Sequence, residues 1–550
     1  MLGVLVPLVS CGRRRAQDDD APPKAALLAD TGFRPSQHGF PFENEGGKYP
    51  KTPGVFTTSG MVRLFGKEAC LGGDTKSCKL TPAANEWMGV VNRAMNIGQC
   101  EGMAVSSLAF FKKVNDPATF APGAASAHQL THQAVGPLIG YYWAYQMLNP
   151  VLATKVKSLR TQTPNSVEDS LIEMMKRGEL ATIAIRSTHG GHAVTPYAVE
   201  DRGNGIHWIR IYDNNWPDKD RYIIIDRNEN SWKYELASLN PDVPREPWSG
   251  GPESHTIGLV PLSARLAKPE CPFCTGSGKK VVVPHGTNAI SLTNHEGKRI
   301  GRDGDNVVNE IPGAEVVDLN TFIEGATVGE PMYVVPAEAD YDITISGQDK
   351  KATDHHPDDD HGVAILGNGS AVAVETPKLK TSEHDMLSLH RDGGVKYQTA
   401  SGVIPPIRLA ADGEKSGMSV RLTNMKADPG DHVELRVDHK AGEITVQGGG
   451  KRTDSYDLKI KHTHAGAEDH EVEHKGIKFH LGESHTIHSD PSPGAKHEGP
   501  PRITRGKYVV KAKPEKEKDK DRDKEREHEH EKGKEGKPAT RSPAAPNRHR

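Results

Sequence analysis

The spacing of apolar residues changes near residue 180 of this 550-residue chain, and this change constrains the fold more than any other feature. Before it, a helix is predicted to begin at Cys100, because the apolar residues that follow lie at helical spacing: Met103, Ala104, Leu108 and Phe111. A second helix is predicted from the capping-box-like Ser166–Asp169, with Gly178 at its end. After residue 180, alternation predicts four strands: Ala181–Ile185, His192–Val199, Ile206–Tyr212 and Tyr222–Asp226. Helices followed by a short antiparallel sheet predict an α+β domain.

Beyond this domain the sequence predicts sheets and then an unfolded end. Residues 286–510 contain short alternating runs divided by turns such as Asp392–Gly394, which predicts one or two β-sandwich-like modules. Residues 511–550 contain no Leu, Ile, Val, Met, Phe, Tyr or Trp, so we expect a disordered charged tail. The other predicted segments are an irregular N-terminal arm at 26–80, the α+β domain at 81–265 and a linker at 266–285.

Charge and hydropathy exclude some partners. The chain has 70 Lys and Arg residues against 73 Asp and Glu residues, a formal net charge of −3, so it has no basic excess with which to bind nucleic acid. Aromatic residues make up only 5% and mean hydropathy is −0.62, which indicates that much of the chain is not densely packed. It contains no run of about 20 apolar residues that would form a membrane-spanning helix.

The N-terminal segment, residues 1–25, suggests a membrane tether. A short apolar run ends in Leu8-Val9-Ser10-Cys11, which resembles the lipobox of bacterial lipoproteins. That resemblance implies a signal segment, a lipid on Cys11, and a protein anchored to the cell envelope or secreted. The alternative is an accidental apolar start, because no basic residue precedes the run and Arg13–Arg15 follow it instead.

The other five cysteines divide into one isolated residue, Cys100, and two close pairs. Cys70 and Cys78 are predicted to close a small loop, and Cys271 and Cys274 a C-x-x-C disulfide, which suits an oxidising compartment. The alternatives for Cys271 and Cys274 are half of a zinc site, which would need four ligands, or a redox pair. The neighbouring linker-like sequence favours a structural disulfide.

Cys100, His192 and Asp213 form a constellation suited to acyl chemistry. A thiol at a helix N-terminus meets the positive end of the helix dipole and free N–H groups, which favour a thiolate and can hold an oxyanion. His192 begins one predicted strand, and Asp213 follows the end of the next. Because adjacent antiparallel strands place the start of one beside the end of the other, His192 and Asp213 are predicted neighbours.

The motifs around these residues resemble papain-like cysteine peptidases. The sequences Cys100-Glu-Gly-Met103, Gly191-His-Ala-Val194 and Tyr212-Asp-Asn-Asn-Trp-Pro217 occur in the family's order of Cys, His and then Asn or Asp. The double-glycine-peptidase-like branch of this family uses Asp. The resemblance covers residues 81–262 and implies a hydrolase of peptide or isopeptide bonds, with Cys100 as nucleophile, His192 as base and Asp213 as orienting residue. A peptide or protein substrate and no cofactor are then expected.

Several alternatives stay open at this stage. The family places a Gln six residues before the nucleophile as oxyanion donor, whereas this chain has Ala94, so Gln99 or Asn96 would have to replace it. Asn214 is the alternative to Asp213, and His189 the alternative to His192. The departure at Ala94 also permits a catalytically inactive papain-like binding or scaffold protein. Acyl transfer in place of hydrolysis is a third possibility, and the ligand of the β modules is unknown.

The histidines invite a metal hypothesis that the sequence does not favour. Two groups lie close in sequence: His355, His356 and His361, and then His462, His464, His470 and His474. Metal ligands must be held in fixed geometry with supporting contacts, and these residues are predicted to lie in polar loops. No metal site is therefore expected.

Overall fold

The protein is described by a computed structural model at residues 25–44, 55–188, 190–238, 241, 245–304, 306–317, 330–348, 361–450, 453–480, 482–490, 492 and 502–508. Several predictions fall outside these ranges, namely the lipobox with Cys11, the charged tail, and His189, His355 and His356. Within the described ranges, no helix has the length and apolar character needed to cross a bilayer.

The α-helices of the described residues all precede residue 180. They are α1 (Pro35–His38), α2 (Thr58–Phe65), α3 (Pro82–Ala94), α4 (Cys100–Phe111), α5 (His132–Tyr145), α6 (Val151–Thr161) and α7 (Pro164–Lys176). The predicted helix at Cys100 therefore begins at that residue. The second predicted helix is α7, but its cap was misplaced. Thr163 is the N-cap, and Ser166 is the third helical residue, whose hydroxyl accepts the Thr163 N–H at 2.8 Å.

The eight strands that follow and precede these helices form one antiparallel sheet. They are β1 (Ala26–Asp30), β2 (Ala181–Ser187), β3 (Gly190–Asp201), β4 (Ile206–Tyr212), β5 (Arg221–Asp226), β6 (Ser231–Ala237), β7 (Glu246–Gly250) and β8 (Ile257–Pro261). The order is β7-β6-β5-β4-β3-β2-β8, and β1 pairs with the last residues of β3. One face of the sheet packs on α7 through Val167, Leu171 and neighbouring apolar residues. The helical region followed by antiparallel sheet agrees with the predicted α+β order.

The rest of the described chain is antiparallel sheet. Its strands are β9 (Lys279–His285), β10 (Ala289–Asn294), β11 (Arg299–Asp303), β12 (Asn306–Asn309), β13 (Glu315–Val317), β14 (Met332–Pro336), β15 (Tyr341–Ser346), β16 (Gly362–Gly367), β17 (Ser370–Val374), β18 (His384–Leu389), β19 (Val395–Gln398), β20 (Val403–Ile404), β21 (Ile407–Asp412), β22 (Ser416–Thr423), β23 (Met425–Lys426), β24 (His432–Asp438), β25 (Glu443–Gly449), β26 (Thr453–His464), β27 (His470–His480), β28 (Glu483–His488) and β29 (Arg502–Lys507).

Two large sheets of this region enclose one apolar core. The ten-stranded sheet has the order β12-β11-β10-β15-β18-β19-β24-β25-β28-β29, and the nine-stranded sheet β13-β14-β9-β16-β17-β21-β22-β26-β27. Alternate residues of both sheets, such as Leu387 and Leu435 from one and Val363 and Val420 from the other, belong to the same buried cluster. Because side chains alternate between faces along a strand, each sheet can give one face to this core.

The helical region and the nine-stranded sheet share a second core. Trp87 and Val91 of α3 belong to the same buried cluster as Leu366 and Ala410 of the sheet. Polar contacts fix the junction as well. The carboxylate of Asp412 accepts the backbone N–H of Ala83 at 2.9 Å, and Arg408 forms an ion pair with Glu86 at 3.3 Å. The domain and the β region are therefore packed together rather than joined only by a linker.

Two of the predicted segments differ from what the structure contains. Residues 26–80 were expected to be an irregular arm, but they include β1, α1 and α2, and β1 is part of the domain's sheet. Residues 266–285 were expected to be a linker, but β9 lies in them and Phe273 is fully buried against Phe65 and Trp87. The sequence predicted loops because these segments contain few apolar residues. In the structure, β1 and β9 pair with strands that lie far away in the chain.

Candidate functional site

The candidate nucleophile occupies the first position of a buried helix. Cys100 is the first residue of α4, is half-buried, and is the free cysteine among the described residues. The helix begins here because Gly98, with φ of 153°, holds a conformation that side chains rarely adopt, and Gln99 is a non-helical cap. The first N–H groups of a helix have no partner within it, so a helix N-terminus can stabilise a negative charge on a thiol at this position.

His192 and Asp213 meet as the strand order predicts. Residue 195 of β3 pairs with residue 212 at the end of β4, which brings His192 beside the turn that carries Asp213. The ring Nε2 of His192 lies 2.8 Å from Oδ1 of Asp213, and both side chains are fully buried. The alternative His189 lies outside the described residues.

Asp213 is held by three groups. Besides His192, its Oδ1 accepts the backbone N–H of Asn215 at 2.8 Å, and its Oδ2 accepts the hydroxyl of Tyr234 at 2.6 Å. Burial by itself would raise the pKa of the Asp213 carboxyl, but the charge of His192 and these hydrogen bonds outweigh burial and hold the pKa below its usual value. The carboxylate is therefore fixed and charged at neutral pH.

His192 carries the opposite shift and faces the thiol. Burial alone would lower its pKa, yet the Asp213 carboxylate and the neighbouring Cys100 raise the pKa above that of an ordinary histidine. The other ring nitrogen, Nδ1, is buried and forms no hydrogen bond of normal geometry with the described residues. Cys100 at the start of α4 is among the groups that raise this pKa, so its thiol lies close to the imidazole.

Asn214 has a different role from the one proposed for it as the alternative orienting residue. Its Nδ2 donates to the carbonyl of Cys100 at 3.1 Å and to the carbonyl of Ala193 at 3.0 Å. It therefore joins the start of α4 to the strand that carries His192. The hydrogen bond to the imidazole is made by Asp213.

The two candidate oxyanion donors are placed differently. Gln99 is buried, and its Oε1 lies 3.1 Å from Nε2 of His132 on α5. Burial lowers the pKa of His132 to about 4, so this ring is neutral at pH 7. Asn96 lies in a 3₁₀ turn, Met95–Ile97, and its side chain is exposed.

The sequence did not predict a buried ion cluster that lies next to Cys100. Glu101 forms an ion pair with Lys155 of α6 at 3.2 Å and a second one with Arg265, and all three side chains are almost completely buried. Burial by itself would raise the pKa of Glu101, but Arg265 and Lys155 lower it to about 2. Its only sequence signal was an acidic residue inside a segment of small and apolar residues.

The predicted cysteine pairs are both bonded. Cys70 and Cys78 form a disulfide with a Cα–Cα distance of 5.2 Å, and Cys271 and Cys274 form another with a Cα–Cα distance of 5.6 Å. The second disulfide lines a cavity of about 650 Å³ together with Trp87.

The histidines expected in loops lie mostly in strands. His462 and His464 belong to β26, and His470 and His474 to β27, while His361 is buried just before β16. The expectation of polar loops was wrong here, because alternation of His with Lys and Thr hides the strand pattern. Among the described residues, no group of three or more His, Cys, Asp or Glu is arranged to hold a metal ion.

Comparison with known proteins identifies no relative, since no protein-family model, no curated protein and no solved structure matches the chain. The function has to be argued from the chemistry of the site.

Proposed function

We propose that this chain is a papain-like cysteine hydrolase that cleaves peptide or isopeptide bonds through Cys100, His192 and Asp213. The observation that carries the proposal is the buried pair of His192 and Asp213, 2.8 Å apart, with the second ring nitrogen facing the thiol at the start of α4. The carboxylate favours the imidazolium form, and an adjacent imidazolium favours the thiolate, which is the reactive form of cysteine.

The reaction follows from these positions. The Cys100 sulfur attacks the carbonyl carbon, and the carbonyl oxygen becomes an oxyanion held by N–H groups at the start of α4 and by the Gln99 amide. His192 gives its proton to the leaving amine as the C–N bond breaks. Water then attacks the thioester carbonyl while His192 takes a proton from that water. The C–S bond breaks, which releases the carboxylic acid and restores the Cys100 thiolate beside the His192 imidazolium.

The rest of the chain adds a proposed location. A lipid on Cys11 would tether the enzyme to the bacterial cell envelope, and the β region would bind a surface or a partner. Two disulfides support an oxidising compartment.

The experiment is covalent labelling of the full chain. In a Cys11→Ser background, Cys100 is the cysteine outside the two disulfides, so a peptidyl acyloxymethyl ketone should label Cys100, as located by peptide mass mapping. His192→Ala should slow labelling by about 100-fold or more. The matched control is His361→Ala, a buried histidine of the β region, which should label at the normal rate.

Absence of labelling in folded protein would reject the hydrolase and leave the inactive binding or scaffold protein. If labelling succeeds, incubation of the unlabelled enzyme with peptides and an amine acceptor distinguishes the reaction type. Hydrolysis predicts free carboxylic acid as product, whereas acyl transfer predicts a new amide.

A further inference from the structure

An asparagine from the N-terminal segment reaches the centre of the candidate site. Asn44 is fully buried, although it lies 55 positions before Gln99 and 171 before Asn215. It is brought there because β1 pairs with β3, and Phe33 and Phe40 then anchor the following segment in the core. Nothing in the sequence motif of the site points to it.

Three hydrogen bonds attach Asn44 to both sides of the site. Its Oδ1 accepts the backbone N–H of Gln99 at 2.6 Å, the residue directly before the nucleophile. Its Nδ2 donates to Oδ1 of Asn215 at 3.0 Å, and its own N–H donates to the carbonyl of Asn214 at 2.9 Å. One side chain therefore connects the start of α4 to the turn that carries Asp213.

The donor and acceptor of each hydrogen bond that Asn44 and Asn215 form are fixed. The Gln99 N–H can only donate, so Oδ1 of Asn44 must face it and Nδ2 must face Asn215. Asn215 in turn donates its Nδ2 to the carbonyl of Ser238 at 2.9 Å and its N–H to Asp213 at 2.8 Å. Asn44 and Asn215 are both buried, and buried side chains that are hydrogen-bonded through both oxygen and nitrogen are held in one geometry.

We propose that Asn44 is a positioning residue that fixes the distance between Cys100 and the His192–Asp213 pair. The proposal rests on the proposed function, because it assigns Asn44 a role in that same site. The two catalytic halves come from different elements, α4 on one side and β3 with the β4–β5 turn on the other. The side chains of Asn44 and Asn214 each form hydrogen bonds to both halves. Loss of its amide lets the thiol move relative to the imidazole, which weakens the thiolate–imidazolium pair.

The test measures the pH dependence of Cys100 alkylation by iodoacetamide in the full chain with Cys11→Ser. Asn44→Ala should slow alkylation on the acid side of the rate profile by up to about 10-fold, because a shift of one pKa unit changes the thiolate fraction by at most that factor. The acid side of the rate profile should move up by about one pH unit, because a weaker ion pair gives less thiolate. A purely structural role would lower the unfolding temperature without moving this profile.

Asn288→Ala is the matched control. Asn288 is also buried, and its side chain donates to Thr376 and to the carbonyl of Pro377 and accepts the N–H of Leu379, far from Cys100 in the chain. Its loss should lower stability and leave the alkylation profile unchanged. Asn44→Asp keeps the acceptor for Gln99 but loses the donor to Asn215, and it carries the test if the alanine variant does not fold.

The outcomes separate the two proposals. An unchanged profile in the folded Asn44 variants, with normal labelling of the parent chain, overturns the role of Asn44 and leaves the hydrolase standing. Failure of Cys100 in the parent chain to react overturns the hydrolase and the positioning role with it. A profile that moves in Asn44→Ala and also in Asn288→Ala assigns the effect to general loosening and rejects the positioning role.

Discussion

At the scale of single residues, the negatively charged carboxylate of Asp213 raises the pKa of His192. It faces His192 at 2.8 Å in a fully buried setting, where a charge acts more strongly than in water. The raised pKa of His192 means that the imidazolium persists to a higher pH than an ordinary histidine would allow. The contact of His192 with Asp213 therefore contributes fully to stability at pH values below the unfolded-state pKa of His192. This contribution is lost as the pH rises through the folded-state pKa of His192.

Asp213→Asn should move the alkaline side of the reactivity profile to lower pH. Asparagine keeps an oxygen for the imidazole N–H but has no charge, so the pKa of His192 should fall by about one unit or more. Carboxymethylation of Cys100 by iodoacetate reports this, because the anionic reagent is attracted to the imidazolium and slows when the ring loses its proton. The measurement is the reaction rate between pH 6 and pH 10.

The control for that variant is Asp385→Asn in the β region. Asp385 is also fully buried and accepts a tyrosine hydroxyl, that of Tyr397, and a backbone N–H, that of Ala400. It should leave the iodoacetate profile unchanged. Equal profiles for the parent chain and Asp213→Asn would contradict the assignment of the pKa shift to Asp213.

At the scale of elements, α4 is the buried helix that carries Cys100, the proposed nucleophile. Its residues from Glu101 to Phe110 are all buried, with α5 on one side and β3 on another. Gly102 allows the close approach to α5, since a Cβ at this position would lie 2.2 Å from the carbonyl oxygen of Ile139. Backbone atoms cannot yield as a flexible side chain does, so a larger residue must push the two helices apart.

Gly102→Ala should therefore destabilise the protein by about 1–3 kcal/mol, despite the better helix propensity of alanine. Gly89→Ala in α3 is the control, because Gly89 is exposed and has open space around it. This variant should be neutral or more stable by up to about 1 kcal/mol. Urea denaturation followed by circular dichroism measures both changes, and similar midpoints for the two variants would contradict the packing argument.

At the scale of the whole molecule, the junction between α3 and the nine-stranded sheet contains a partly buried acid, Asp412. Asp412 ends β21 and accepts the N–H of Ala83, yet burial outweighs this hydrogen bond and raises the pKa of Asp412 to about 6. An acid with a raised pKa holds its proton more tightly in the folded state. Stability therefore falls as pH rises from the unfolded pKa near 4 through about 6.

Asp412→Asn should remove this pH-dependent loss. The amide oxygen still accepts the Ala83 N–H, so the variant should resemble the parent chain at about pH 3, below the unfolded pKa of Asp412. Its advantage should grow to at most about 3 kcal/mol at pH 7.5. Thermal unfolding across this pH range measures the difference in stability between the parent chain and the variant. The contributions of other titrating groups are the same in both proteins and cancel in this difference. A difference that stays constant with pH would refute the prediction.

Local patterns in the sequence were sufficient for individual elements. Apolar spacing located the start of α4 at Cys100, and alternation located β4 at the predicted residues, Ile206–Tyr212. Both depend on hydrogen bonds and side-chain directions that repeat over a few residues, so the sequence itself carries them. The order of Cys100, His192 and Asp213 on these elements then made their proximity predictable.

Only the tertiary structure decided which distant residues complete the site. Examples are Asn44, and Lys155 and Arg265, which bind Glu101. These residues lie 54 to 171 positions away in the sequence from the residues to which they hydrogen-bond. Their contacts depend on how whole elements pack, and no periodic pattern records that. The sequence determined the helix, the strands and the three candidate catalytic residues, whereas burial and long-range pairing determined their charges and the groups that hold them.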